Sequence, residues 1–306
     1  MTTTILNETV QPVVSIAPVT IPAAARGMDL QMRVSAPATG DDLPVIIFSH
    51  GYSLSHDAYA PLVDYWAARG FVVIQPTHLD STKIGLAPDD LRTPRIWHHR
   101  EQDLLTVLDK LGQIEALVPS LQGRLDHTRI AVAGHSWGAT TASMFVGATH
   151  PDPDSGATVR LRDARVKAAV LFCLAGTGGD KLNAIGSQFF PFMNPDFSAM
   201  TAPSLIVAGE KDQSQLSTVG PEWWREAFDL SPSPKMLYTA IGAEHSLGGI
   251  AQQGATMTTD ESPERVAALQ RLSAAYLRAT LYPAEAGVGL AAVIGTVASQ
   301  GVTESK

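Results

Sequence analysis

A chain of 306 residues, 45% of them hydrophobic, can bury a sizeable core as one large domain or two small ones. Its net charge of −8, with Lys and Arg scattered rather than clustered, argues against a nucleic-acid partner and an anionic membrane surface. The single cysteine, Cys173, excludes an intrachain disulfide, and in the apolar run 168–174 it reads as a buried small hydrophobe.

Residues 1–6 lack a basic stretch followed by an apolar one, so no signal peptide is expected and the expected location is cytoplasmic. No uninterrupted apolar run reaches the ~18 residues of a membrane span. Strand-like stretches come first, at 13–21 and 29–34. The run Pro44-Val45-Ile46-Ile47-Phe48-Ser49 then reads as a strand buried on both faces, as in a parallel sheet. Residues 58–69 follow with helical spacing of Leu62, Tyr65 and Trp66, and Gly70 sits where a helix stops.

Strand and helix go on alternating. Strands are expected at 71–74, 129–133, 166–174, 203–208 and 235–240. Helices are expected at 95–118, 139–147, 222–228 and 263–281. This pattern predicts an α/β class with a mainly parallel central sheet and helices on both faces. Residues 176–200, rich in Gly, Pro, Asn and Phe, have no clear period and read as a short lid or substrate loop. The expected organisation is one domain over 1–283 and a Gly/Ala-rich tail over 284–306, either disordered or packed on a neighbour.

The chemistry centres on Gly134-His135-Ser136-Trp137-Gly138, which fits the G-x-S-x-G nucleophile elbow. The pentapeptide alone is a weak signal. Its setting strengthens it, because it follows a strand and opens a helix of small residues. A serine hydroxyl needs a base. In sheets with this elbow an acid and then a histidine follow the nucleophile in the chain. Only His150 and His245 lie beyond Ser136, and His150 falls at the far end of the helix that the nucleophile opens. His245, in the loop after the last expected parallel strand, is the candidate base. Asp212, just after the strand at 203–208, is the candidate acid, with Glu210 as the second choice.

The oxyanion needs two donors. The backbone N–H of Trp137 and that of Tyr52, in Ser49-His50-Gly51-Tyr52, are the candidates, with His50 orienting the loop. The side chains of Tyr52 and Trp137, together with Phe189 and Phe190, are candidates for the substrate pocket. His98, His99 and Asp103 lack an evident third ligand for zinc, so no metal is expected, and no cofactor.

Three pieces in order, Phe48-Ser49-His50-Gly51-Tyr52, Gly70-Phe71-Val72-Val73-Ile74 and Pro76-Thr77-His78-Leu79-Asp80, with the elbow and Gly242-Ala243-Glu244-His245, resemble one branch of the α/β hydrolases. That branch holds the lipase-like platelet-activating-factor acetylhydrolases, the chlorophyllases and bacterial cutinase-like polyesterases. The resemblance spans about residues 41–281. It implies the α/β-hydrolase fold without a large cap domain, Ser136, Asp212 and His245 as triad, and Tyr52 and Trp137 as oxyanion donors. Ala139 departs from it, standing where these families often carry another glycine. The expected function is a serine carboxylic-ester hydrolase working through an acyl-enzyme on short-chain or aromatic esters. The alternatives are an acyltransferase on the same triad and a cutinase-like polyesterase. The expected partner is a small-molecule ester.

Overall fold

The computed structural model describes residues 10–251, 259–282 and 288–306. The stretch 1–6, read above for a signal peptide, lies outside the described residues, as do 284–287 of the expected tail. In chain order the elements are β1 (Val13–Ile21), β2 (Leu30–Pro37), β3 (Leu43–Ser49), α1 (Ala60–Ala67), β4 (Val72–Pro76), α2 (Ile96–Asp109), α3 (Leu111–Leu117), β5 (Leu125–His135) and α4 (Trp137–Met144). There follow β6 (Thr149–Pro151), β7 (Thr158–Arg160), β8 (Val166–Phe172), α5 (Ala184–Phe189), β9 (Ser204–Gly209), α6 (Glu226–Leu230), β10 (Lys235–Ala240), α7 (Pro263–Leu281), α8 (Val288–Val297) and β11 (Gly301–Ser305).

Nine strands form one sheet in the order β1-β2-β4-β3-β5-β8-β9-β10-β11. From β4 to β10 every neighbouring pair is parallel. β1, β2 and β11 join antiparallel at the edges. The apolar runs explain the interior: every residue of β3, β4 and β9 is buried, as strands covered on both faces must be. Successive strand residues point to opposite faces. Accordingly the Phe48 ring meets Trp66 of α1, while Ser49 Oγ lies 3.5 Å from Arg100 Nη2 of α2. Helices α1 and α2 therefore cover opposite faces. On the α1 side, Trp66 Nε1 donates to Ser273 Oγ of α7 at 2.9 Å. Between β8 and β9, residues 173–203 form a 3-10 turn at Gly179–Lys181, α5 and connecting loops, with no cap domain.

Three expectations are corrected. The helix expected over 95–118 is two, broken at Lys110, whose φ of −108° and ψ of 18° leave the helical region. Residues 176–200 contain α5, started by Asn183, whose side chain accepts from Gly186 N–H; six residues are too few to show a period. The segment read as a tail forms α8 and β11 instead. Leu290, Val293 and Ile294 pack on the core, and β11 extends the sheet beside β10. The strand is held by backbone pairing, and Val302 is exposed, so no apolar run announces it. No helix among the described residues is long and apolar enough to cross a membrane.

Candidate active site

The elbow residues fold as they do for steric reasons. Ser136 sits between β5 and α4 at φ 57° and ψ −126°, a region that side chains rarely occupy. A Cβ on Gly134 would run into the carbonyl of Gly138, and one on Gly138 into the carbonyl of Ser49. Both glycines are thus required by close backbone approach, and Gly138 sets how near the elbow lies to the end of β3. The strain aims the serine hydroxyl out of the sheet.

Loops at the carboxyl ends of three parallel strands meet there. Ser136 Oγ donates to His245 Nε2 at 2.9 Å, and His245 Nδ1 donates to Asp212 Oδ2 at 2.8 Å. Asp212 is sealed from solvent while the imidazole of His245 is 41% exposed. Trp224 Nε1 donates to the Asp212 carbonyl at 2.9 Å, and its ring lies 4.9 Å from the His245 ring. Asp212 Oδ1 is buried with no hydrogen-bond partner among the described residues. Burial, and then this carboxylate, push the Cys173 thiol well up, so it stays protonated. Glu210, the second acid candidate, accepts from Gly242 N–H at 2.7 Å and serves the loop that carries His245.

A family model for chlorophyllase matches residues 4–150. That stretch includes the loop after β3 and the elbow, and ends before Asp212 and His245. An esterase of Pyrobaculum calidifontis, solved in a monoclinic form, superposes with a TM-score of 0.58 at 20% identity, over 89% of this chain and 86% of that one. The chain is an α/β hydrolase by fold.

In this α/β-hydrolase fold the two expected oxyanion donors lie on the loop after β3 and at the start of α4. The Trp137 N–H belongs to the first turn of α4, where no intrahelical acceptor exists. The Tyr52 N–H has no protein acceptor among the described residues. Their side chains stack at 5.9 Å between ring centroids, and Phe190 meets Trp137 edge-on at 5.5 Å. Phe192 stacks on the other side of that cluster, 5.4 Å from Trp137. Phe189 does not join them: it is 62% exposed. Phe197 packs into the main core.

Sequence reasoning missed a buried polar array behind the 49–52 loop. Ser49 Oγ donates to His78 Nε2 at 2.9 Å, and His78 Nδ1 faces Asp103 Oδ2 at 2.9 Å. Arg26 Nε lies 3.4 Å from the other Asp103 oxygen. Burial pushes the Asp103 carboxyl up to about 7, against the pull of Arg26 and Arg100. Arg100 pairs with Asp80 at 2.7 Å, donates to the His50 carbonyl, and lies under the Trp137 ring. His50 accepts from His78 N–H at 3.0 Å and donates from Nδ1 to the Gly51 carbonyl at 2.7 Å. Burial, and then Arg100, bring it down to about 4, so it is neutral and orients the loop.

Of the rejected zinc candidates, Asp103 is occupied by His78 and Arg26. His150 is buried against Glu101 at 2.7 Å, away from Ser136. His135, Cys173 and His245 bring ligand-type atoms within 4.8 Å of one another. Both nitrogens of each imidazole there are already hydrogen-bonded, so the group reads as a network rather than a ligand set.

Proposed function

We propose that this α/β hydrolase is a serine carboxylic-ester hydrolase with Ser136 as nucleophile, His245 as base and Asp212 as the acid that orients it. The observation that carries the reading is the chain from Ser136 through His245 to Asp212, with the serine on a strained elbow and the imidazole open to solvent. Ser136 Oγ attacks the ester carbonyl carbon as its proton passes to His245 Nε2. Negative charge then develops on the carbonyl oxygen between the N–H groups of Tyr52 and Trp137. Asp212 stabilises the imidazolium and holds the tautomer. The tetrahedral centre collapses, the alkoxide leaves with the proton of His245, and the acyl group stays on Ser136. Water, deprotonated by His245, repeats the sequence and frees the acid.

The match to a chlorophyllase family and the fold shared with an esterase support ester chemistry. Short acyl groups fit best. Tyr52, Trp137 and Phe190 make an aromatic shelf against which a short acyl group can lie. On p-nitrophenyl esters kcat/KM should peak between acetate and hexanoate. A steady rise to palmitate would contradict the open shelf. A fluorophosphonate should label the protein once, at Ser136; labelling at another serine would remove the assignment. Product analysis with added alcohols separates hydrolysis from acyl transfer, and soluble products from a polyester film would reveal a polyesterase.

A further inference from the structure

The histidine inside the elbow motif has no part in the proposed proton transfers, yet it is buried in the middle of the site. Its Nε2 lies 2.8 Å from the His245 carbonyl oxygen, and its Nδ1 lies 2.9 Å from the Tyr59 hydroxyl. The Tyr59 oxygen in turn lies 3.0 Å from Gly51 N. Every direction in this chain is fixed by chemistry. A carbonyl oxygen only accepts, so His135 carries its proton on Nε2. Burial, and then the nearby His245, bring the His135 pKa down to about 3, so the ring is neutral and Nδ1 is an acceptor. Tyr59 must therefore donate its O–H to Nδ1, and its oxygen accepts from Gly51 N–H.

We propose that Tyr59 and His135 are positioning residues, a one-way hydrogen-bond chain that sets the oxyanion loop and the general base at a fixed separation across the nucleophile elbow. The catalytic consequence rests on the ester-hydrolase reading; the chain itself does not. One end holds Gly51, the residue before Tyr52, and the other holds the backbone of His245. Tyr59 is itself tightly placed. It is fully buried at φ 67°, uncommon for so bulky a residue, and its N–H donates to the carbonyl of Ala251, beyond His245 in the chain, at 3.0 Å. Its ring lies 4.7 Å from Phe48 of β3. A Cβ at position 51 would come within 2.9 Å of the Tyr59 oxygen and 3.4 Å of His135 Nδ1, so the contact needs glycine there. Packing alone gives no reason for these polar atoms, because an apolar pair of the same shape can replace a buried hydrogen-bonded pair at little cost in stability. Their effect should therefore appear in turnover.

Tyr59→Phe keeps the ring and removes the hydroxyl. On p-nitrophenyl acetate its kcat should fall about 10- to 100-fold, with KM within about threefold of wild type. His135→Leu should lose as much. The double variant should be no worse than the weaker single, because both cut one chain. His135→Gln, whose amide can both donate and accept, should recover part of the loss. Nitrogen-15 NMR of the wild-type histidines should show His135 as the Nε2–H tautomer from about pH 5 to about pH 8. A folded Tyr59→Phe with wild-type kcat, losses that add in the double variant, or an Nδ1–H tautomer would each overturn the proposal. Where a variant fails to fold, the wild-type tautomer decides. Retained activity in Ser136→Ala would instead defeat the ester-hydrolase reading and leave the tautomer result standing.

Discussion

Among the described residues two Ser–His–Asp arrays have almost the same dimensions. Ser136, His245 and Asp212 are joined at 2.9 and 2.8 Å; Ser49, His78 and Asp103 are joined at 2.9 and 2.9 Å. Distances do not tell them apart. Their surroundings do. The first has a strained serine and an imidazole open to solvent. The second has a serine in the regular backbone of β3, and its imidazole is wholly buried. Burial, and then Arg100, push His78 well below the ordinary histidine range. A base that cannot be protonated and a hydroxyl that no substrate reaches hold a loop in place. Under the reading proposed above, access and strain, rather than triad geometry, separate a nucleophile from a strut.

The sharpest way to break this comparison is to remove each serine hydroxyl. Ser136→Ala should cost at least about 10⁴-fold in kcat with the fold intact, because the triad acts as a unit. Ser49→Ala should cost less than about tenfold in kcat and show its effect as a lower Tm, since it leaves the buried Nε2 of His78 without its donor. Comparable losses of turnover in both would mean the buried array shares in the chemistry. The carboxylates extend the contrast. Asp212→Asn should cost about 10³- to 10⁴-fold by favouring the wrong tautomer of His245. Glu210→Gln should stay within about threefold, its bond to Gly242 being only partly weakened. If Glu210→Gln were the more damaging, the acid assignment would pass to Glu210.

A smaller effect concerns pH. The unfolded chain takes a proton on His135 near 6.5, whereas the folded protein refuses it until about 3. His135 therefore contributes stability that is complete above pH 6.5 and is lost as pH falls through that window, because the unfolded state binds more protons there. Thermal melts of His135→Gln should lose less Tm than wild type between neutral and mildly acidic pH. Parallel slopes would show that His135 titrates normally.

Much of this site was legible in the sequence because it lies on local signals. The elbow is five contiguous residues, and Asp212 and His245 each follow an apolar strand by a few residues. The parallel order of the strands then brings the three loops to one edge, as open α/β sheets do. The buried array was illegible for the opposite reason. Arg26, Ser49, the His78 and Asp80 of the loop after β4, and the Arg100 and Asp103 of α2 come from four separate places in the chain, and nothing in the pattern of any one of them marks a buried charge. Tyr59 carried no signal at all, since its role depends on contacts with Gly51 and His135. His135 was visible inside the motif, but only its two partners show what it does. β11 was missed because an edge strand held by backbone pairing needs no apolar alternation.

Tyr52 separates two tasks within one residue. Under the reading proposed above, its main chain supplies the oxyanion donor, while its side chain is 59% exposed at the rim of the shelf. Every amino acid except proline carries that N–H. Position 52 can therefore change identity over evolution, or in a laboratory library, and reshape which esters are held without removing the donor. Gly51 and Gly138 have no such freedom. Substrate range in this fold can thus drift at the rim while the floor stays fixed.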